Sequence, residues 1–246
     1  MRLALISDIH ANLPALEAVL ADIAGRSVST TYHIGDLVGY APWPDETVAL
    51  LREREIAGVA GNYDSTVATD ADHCGCSYED PRQEALSHAS YAWTCAHTSA
   101  ESKRYLASLA FRLDIRPGGG HAAAPSIILV HGSPVLNTVY WTADRTDDFC
   151  RRMAAVAGAR DGDVLAFGHT HEPWSRTVDG VRFVNTGSVG RPKDGDWRAG
   201  YALLEMREGD VAVDIVRVEY DLDAAMEGVR ASGLPDELAE QLRTGS

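Results

Sequence analysis

His169 and His171, in the segment GHTH, have the spacing of a pair of metal ligands. They follow a short apolar run, Val164 to Phe167, which ends at Gly168 and is typical of a strand buried on both faces. Side chains two positions apart in an extended chain point the same way, so the two imidazoles can approach one centre. Taken alone, GHTH is equally compatible with a polar loop, and the rest of the chain has to decide.

The same arrangement, an apolar run that ends in polar residues of ligand type, occurs four more times along the chain. These runs are Leu3 to Ser7, Thr30 to Ile34, Ile56 to Ala60 and Ile127 to Val130. The side chains that follow offer nitrogen and oxygen atoms and no thiolate, and they are too many for one ion. Two ions that share one carboxylate would each have about four protein contacts and keep room for water or substrate. We therefore predict a dinuclear metal site formed by Asp8, His10, Asp36, Asn62, His131, His169 and His171.

Five short motifs occur in the order DIH, GDLVG, GNYD, VHGS and GHTH. This series resembles that of the calcineurin-like metallophosphoesterases, which reads D-x-H, G-D, G-N-x-D, H-G and G-H-x-H. The segments GDLVGYAPWP and NTGSVG make the chain most similar to the small bacterial phosphodiesterase-like members. The resemblance covers the chain from about Met1 to Leu222, and five unrelated polar strand ends would explain it poorly.

The resemblance implies an α/β fold, a four-layer α/β/β/α sandwich of two mixed β-sheets flanked by helices. The metal site would lie at the carboxyl-terminal ends of the strands. The domain would span residues 1–222 with a helical insert at about 81–110, and residues 223–246 would form a helical extension packed on it. The local patterns agree with mixed sheets, because helical crossovers dominate early and hairpins late. One such hairpin is predicted around Asp179-Gly180, a pair typical of a type I′ turn.

Carried over by motif, the two metal positions have overlapping ligand sets. The first would consist of Asp8, His10, Asp36 and His171, and the second of Asp36, Asn62, His131 and His169. Asp36 would then bridge the ions and hold the bridging hydroxide that acts as the nucleophile. The ions would be two divalent transition metals, Mn, Fe, Zn or Ni with Mn favoured, because affinity order alone does not set the metal.

The chain departs from the better-known phosphatases of the family at two positions. Tyr63 stands where they have a histidine after Gly-Asn, and GDLVGYA lacks the acidic residue and the arginine of their G-D-x-x-D-R-G. Tyrosine, with a reference pKa of about 10, donates a proton less readily near neutrality and brings no positive charge. A monoanionic diester therefore suits the site better than a monoester. We predict a phosphodiesterase with Tyr63 as a catalytic hydrogen-bond donor, or alternatively as a packing aromatic residue.

Two other functions stay open at this stage. The first is a phosphomonoesterase that acts on proteins or nucleotides, including a dinucleoside polyphosphate hydrolase. The second is a protein-interaction scaffold, since a retromer subunit of the same fold works by protein contacts. A scaffold of this kind is expected to have lost metal ligands, whereas all seven predicted ligands are present here.

Several further polar residues have predicted roles around the site. Asp64 is expected to accept backbone hydrogen bonds in its turn. The His73–Cys76 segment is open to interpretation as a lid, a dimer contact or a third metal site. The residues predicted to bind substrate are Asn12, Asn62 and His131, with the Asn185 to Gly190 loop as a further wall of the cleft.

Composition limits the partners and the location of the protein. A formal net charge of −14 argues against a general nucleic-acid binder, because such proteins carry a basic stripe. The sequence contains no apolar run long enough to span a bilayer, so we predict no membrane association and a cytoplasmic location. The expected partner is a small phosphoester, with nucleotide-derived compounds among the candidates, and the oligomeric state is left open.

Overall fold

Two mixed β-sheets face each other in the computed structural model, which describes residues 1–78, 80–116, 125–207 and 210–246. The first sheet, in the order β10-β9-β1-β2-β3, contains β1 (Arg2–Ile6), β2 (Thr30–His33), β3 (Ala57–Gly58), β9 (Ala199–Arg207) and β10 (Asp210–Val218). The second, in the order β4-β5-β6-β8-β7, contains β4 (Arg112–Ile115), β5 (Ile127–Val130), β6 (Val164–Phe167), β7 (Trp174–Val178) and β8 (Val181–Asn185). In each sheet three neighbouring strands are parallel and the other pairs are antiparallel.

Helices cover the outer face of each sheet. The helices packed on the first sheet are α1 (Leu13–Ala24), α2 (Pro44–Glu53), α3 (Asn62–Val67), α4 (Pro81–His97), α5 (Ala100–Ser108), α7 (Leu222–Ala231) and α8 (Asp236–Thr244). The second sheet is covered by α6 (Asp147–Ala157). The layers are therefore helix, sheet, sheet and helix, which confirms the predicted four-layer sandwich.

The first strand shows why such a sequence forms a central strand. Leu3 and Leu5 pack between the two sheets, whereas Ala4 and Ile6 pack against the helices on the outer face. Both faces of β1 are buried because alternate side chains point to opposite faces, so nearly every residue of the strand is apolar.

The parallel strands deliver their following loops to one edge of the molecule. The backbone N–H of Asp8 donates to Gly35 O at 3.0 Å, and that of His10 donates to Asp36 O at 3.0 Å. In the second sheet Gly168 N donates to His131 O at 2.8 Å. The strand ends are thus held side by side by backbone hydrogen bonds before any side-chain contact is considered.

The predicted peripheral elements have clear counterparts. The β7–β8 hairpin turns at Asp179 and Gly180 with φ of 47° and 80°, which confirms the type I′ turn. Helices α4 and α5 lie in the predicted helical insert, and α7 and α8 follow Leu222 and pack on the outer face of the first sheet. The domain boundary at residue 222 itself stays a prediction. None of the helices in the described ranges is long and apolar enough to cross a membrane.

Candidate metal centre

Six of the seven predicted ligands form two buried triads at the strand ends. Within each triad one ligand atom per residue lies within 4.8 Å of the other two. The triads are Asp8, His10 and His171, and Asp36, His131 and His169. In the described part of the chain, no other group of His, Cys, Asp and Glu has this geometry.

The two aspartates lie between the triads. Asp36 Oδ2 is 3.4 Å from Nε2 of His131 and 3.7 Å from Nε2 of His10. Asp8 Oδ1 is 3.3 Å from Nε2 of His171 and 3.9 Å from Nε2 of His131. Each carboxylate therefore reaches imidazoles of both triads, and the bridging role of Asp36 stays a prediction.

Backbone carbonyls orient three of the four imidazoles. Each of these rings has its Nδ1 atom at hydrogen-bond distance from a carbonyl oxygen, which can only accept. Nδ1 must then carry a proton, and in the neutral form of each ring the lone pair lies on Nε2, which faces the centre. The pairs are His10 with Val38 (3.1 Å), His131 with Ile34 (2.8 Å) and His171 with Arg191 (2.5 Å).

Several ligand atoms have no partner that protein atoms alone could supply. Asp8 Oδ1 and His169 Nε2 are buried without a hydrogen bond. The Nε2 atoms of His10 and His171 are 3.1 Å apart although the tautomers place a lone pair on each. An arrangement of converging lone pairs costs free energy unless a cation relieves it, so this nitrogen and oxygen donor set fits divalent metal ions.

Five of the ligands have a left-handed backbone, which residues other than glycine rarely adopt. Such conformations cost about 1–3 kcal/mol each and are retained where the surrounding structure requires them. Here they turn the chain sharply after each strand, so that side chains point into the centre. The φ angles are 50° for Asp8, 48° for His10, 52° for Asp36, 67° for His169 and 64° for His171.

Two glycines of the motifs allow the strand ends to approach each other. A Cβ atom on Gly61 would lie 2.0 Å from Asp36 Oδ1, and one on Gly168 would lie 2.3 Å from Asp8 Oδ2. Both distances are far below van der Waals contact, so any larger residue would displace a carboxylate. Glycine is therefore required in the Gly-Asn and Gly-His-Thr-His motifs because no side chain fits at Gly61 or Gly168.

The loop from Asn185 to Gly190 holds two of the motifs in place. Asn185 Nδ2 donates to Gly168 O at 3.0 Å, and Ser188 Oγ donates to Asp8 O at 2.7 Å. Asn12, predicted to bind substrate, instead donates from Nδ2 to Gly190 O at 2.9 Å and accepts from the first turn of α1 through Oδ1. Its side chain is fully buried and both amide atoms are engaged, so it positions this loop, and a contact of Asn12 with substrate stays a prediction.

The sequence profile of the calcineurin-like phosphoesterase superfamily domain matches residues 1–209. This protein belongs to the calcineurin-like phosphoesterase superfamily.

Relatives of similar length support this membership. The uncharacterized protein MJ0912 of Methanocaldococcus jannaschii is 30% identical over 99% of this chain and 98% of its own length. A metallophosphoesterase of Sphaerobacter thermophilus has 32% identity and a TM-score of 0.76, and the match covers 100% of this chain and 99% of that one. The hypothetical protein PH1004 of Pyrococcus horikoshii, at 22% identity, shares the fold with a TM-score of 0.81 over 100% and 98% of the two chains.

In this calcineurin-like site, burial and neighbouring charges shift the pKa values of the candidate ligands. Burial alone would lower the pKa of His131, but Asp36 beside it raises that pKa to about 10. Burial would raise the pKa of Asp36, yet the charge and hydrogen bond of His131 hold it below its usual range. Burial and the charge of His171 lower the pKa of His10 to about 3, and burial and His131 lower that of His169 to about 4. Among the protein groups, one imidazolium thus sits between two carboxylates while the other rings stay neutral.

Asn62, the seventh predicted ligand, is positioned by the His73–Cys76 segment. Its Oδ1 is 3.1 Å from His131 Nε2 and so faces the second triad. Its Nδ2 donates to Cys74 O at 3.1 Å and to Cys76 Sγ at 3.2 Å. These contacts fix which end of the amide faces the centre, a function that the sequence did not indicate for this segment.

Tyr63 contacts the centre through its ring. The side chain is 1% exposed, packs edge-on against His10 with ring centroids 5.4 Å apart, and has its hydroxyl 3.1 Å from Ser87 Oγ. Burial raises the pKa of the phenol well above its ordinary value. The hydroxyl already has a protein partner, so this geometry favours the packing alternative, and a catalytic role for Tyr63 stays a prediction.

Asp64 behaves as expected from its turn. Its Oδ1 accepts from Leu37 N at 2.8 Å and its Oδ2 from Gly61 N at 2.9 Å. The carboxylate therefore connects two of the metal-binding loops, and burial raises its pKa to about 7.

Two cationic residues near the centre were missed by the sequence reasoning. Arg191 and Lys193 follow the Asn185 to Gly190 loop, and both contribute to the low pKa of His171, after burial itself. The carbonyl of Arg191 accepts from His171 Nδ1, and Lys193 N donates to His171 O at 3.4 Å. The segment RPK in the sequence is the signal that could have pointed to them, but only the fold brings it to the metal centre.

Proposed function

We propose that this protein is a phosphodiesterase that uses two divalent metal ions, with Mn²⁺ as the favoured ion. The metal-binding groups would be those assigned by motif: Asp8, His10, Asp36 and His171 for one ion, and Asp36, Asn62, His131 and His169 for the other. The ions, when bound, would supply an activated water and neutralise charge on the phosphoryl oxygens.

Hydrogen bonds from neighbouring protein groups hold the candidate metal ligands in position. The carbonyls of Ile34, Val38 and Arg191 keep three imidazoles in one tautomer, and Ser7 and the His169 N–H hold Oδ2 of Asp8 so that Oδ1 faces the centre. Because these groups are buried and fixed, the site needs little reorganisation when charge develops on the phosphate.

The observation that carries the diester preference is a pocket beside the triads. It has a volume of about 400 Å³ and is lined by Tyr40, Tyr78 and Tyr140 among others. The Tyr140 ring is 4.6 Å from that of His169, and the Tyr40 ring is 4.9 Å from that of His10, so the pocket adjoins both triads. A phosphodiester has a second organic substituent that needs such a space, whereas the smallest monoesters do not.

The test compares initial rates on matched aryl phosphates, one diester and one monoester, after chelation and again after Mn²⁺ is added back. We expect hydrolysis only with metal and faster turnover of the diester. Faster turnover of the monoester would contradict the diester preference and favour a phosphomonoesterase. No hydrolysis with any divalent metal would contradict the enzyme itself and favour a protein-interaction scaffold.

Two further proposals concern the substrate and the location of the protein. The substrate is a small phosphoester, and Asn62 and His131, which face the second triad, are proposed to contact it as well as metal. A cytoplasmic location is proposed on the sequence alone.

A further inference from the structure

The pocket beside the metal centre contains charge as well as aromatic rings. Besides the three tyrosines, its charged side chains are those of Asp80, Glu172, Arg191 and Lys193, and Asp80 already accepts from Arg82 N at 2.9 Å. Its volume of about 400 Å³ lies in the range of small-molecule sites, about 300–1,000 Å³. It is therefore large enough for a group that carries both a planar ring and an ionic substituent.

The two cations of this pocket lack anionic partners among the described residues. Arg191 is 4% exposed, lies 4.1 Å above the Tyr40 ring and donates from Nη2 to Gln241 Oε1 at 2.6 Å, which is a neutral acceptor. Its Nε atom is buried without a partner. Lys193 is half-buried, and within the described ranges its ammonium has neither a hydrogen bond nor a carboxylate within 4.0 Å.

Cationic side chains without an anionic partner are unusual in so acidic a protein. The chain has a net charge of −14 and only two lysines, and the other one, Lys103, pairs with Asp70 at 2.5 Å. Glu172 is the acidic neighbour of Lys193 in the pocket, yet it attracts the ammonium only at longer range and leaves its three donors free. Two adjacent positive charges therefore remain available to a ligand.

We propose that Lys193 binds a second phosphate group of the substrate, next to the diester that is cleaved. The inference rests on the proposed function, and it narrows the substrate class to phosphodiesters that carry a further phosphate on the substituent held in the pocket. A terminal phosphate suits this place better than a carboxylate, because its two negative charges match an ammonium beside a guanidinium. Arg191, fixed by Gln241 and Tyr40, adds its charge, while Lys193 supplies the free donors.

The test measures binding, which requires no turnover. Thymidine 5′-phosphate and thymidine 3′,5′-bisphosphate differ only in the second phosphate, and calorimetric titration into the Mn²⁺-loaded enzyme gives a Kd for each. We expect the bisphosphate to bind about tenfold more tightly, as for one charge-assisted hydrogen bond. In Lys193→Gln this ratio should fall to near one, and in Lys193→Arg it should be largely retained.

Lys103→Gln is the matched control, because it removes the same charge from the other lysine of the chain. Its ratio should equal that of the wild type. A wild-type ratio near one, or an unchanged ratio in Lys193→Gln, would overturn the inference. Thermal unfolding of each variant checks that a lost preference does not reflect a lost fold.

Failure of the proposed function gives a different result. The p-nitrophenyl esters of the same two nucleotides are diesters and report hydrolysis. A protein that keeps the binding preference but cleaves neither ester would contradict the phosphodiesterase while supporting the phosphate site. A protein that cleaves both esters but shows no binding preference would contradict only the phosphate site.

Discussion

His169 illustrates how the site is built at the scale of one residue. Its Nε2 atom is buried without a protein partner, which costs about 1–3 kcal/mol, and its backbone has a φ of 67°. Neither feature stabilises the fold. Both are explained if the imidazole is held ready for a ligand that the protein atoms do not provide.

We expect the wild type to bind two metal ions and His169→Ala to bind one, because the change removes one of three candidate ligands from its triad. Phosphodiester hydrolysis should fall by more than about 100-fold, since loss of an outer-shell partner alone costs about 10–100-fold. Elemental analysis after desalting and initial rates measure these effects. His88→Ala, which removes an exposed histidine on α4, should keep both metals and full activity. Two retained metals in His169→Ala would disprove the assignment.

Tyr63→Phe separates the two roles predicted for this tyrosine. Because the hydroxyl is 3.1 Å from Ser87 Oγ, we expect the change to lower the free energy of unfolding by about 1 kcal/mol and kcat by less than about threefold. Denaturant unfolding and diester kinetics provide the measurements. A loss of more than about 30-fold in kcat at unchanged stability would restore the role of Tyr63 as a donor to the substrate.

The candidate ligands could be predicted from sequence because each one lies within four residues of the end of an apolar run. The surrounding residues could not, because their roles depend on chain segments far away. Asn185 orients the loop of Gly168, and Cys76 contacts Asn62 from a segment that invited a different interpretation. Lys193 reaches the centre only because its loop crosses back over His171.

At the scale of secondary structure, the candidate ligands lie close together because the strands that precede them end at the same edge of the molecule. β3 is reduced to Ala57–Gly58, shorter than the apolar run Ile56 to Ala60 suggested. Val59 N still donates to His33 O at 3.2 Å, but Val59 forms an isolated bridge with Ala110, and Ala60 N donates to Ala110 O at 2.8 Å instead of continuing along β2. The chain can then bend into Gly61 next to Asp36.

Gly61→Ala tests this close approach. The new methyl group would lie 2.0 Å from Asp36 Oδ1, so we expect Asp36 to be displaced, Mn²⁺ affinity to fall by about 10–100-fold and stability to fall by about 1–3 kcal/mol. Gly25→Ala is the control, because its φ is −74° and its Cβ would meet only Asp22 O at an ordinary 3.4 Å. Metal titration measures the Mn²⁺ affinity of each variant, and thermal unfolding measures its stability. Equal Mn²⁺ affinity in the two variants would refute the steric explanation.

At the scale of the whole molecule, the sequence predicted the class of fold but not its order of strands. Helical crossovers followed by hairpins indicate mixed sheets, and the resemblance supplied the sandwich. Which strands lie side by side depends on the pairing of distant segments, such as β1 with β9. The position of α8 is a similar case, because only the fold shows that Gln241 supports Arg191 beside the pocket.

The buried histidines predict how the stability of the whole protein depends on pH after chelation of its metals. Burial and neighbouring charges lower the pKa of His10 to about 3 and of His169 to about 4. The unfolded chain binds these protons near pH 6.5 and the folded protein does not, so stability falls as the pH drops from about 6.5 towards 4. His131, with a pKa of about 10, has the opposite effect, and its contribution is lost as the pH rises from about 6.5 to 10. The combined contribution of these three histidines to the stability of the chelated protein should therefore be largest near pH 6.5.

Bound metal should change this profile on the alkaline side. A histidine that ligates a metal is neutral, so His131 no longer gains stability from its proton, and metal binding strengthens with rising pH because fewer protons compete with the ion for His131. Mn²⁺ that binds only the folded protein raises the free energy of unfolding, and it does so more as its affinity increases. We therefore expect a small Mn²⁺ effect at pH 5, a larger one at pH 6.5 and the largest at pH 8. Denaturant unfolding in EDTA and in Mn²⁺ at these three pH values measures the difference. An equal Mn²⁺ effect at all three would mean that the titrating histidines are not the metal ligands, because only protons on those ligands compete with the ion.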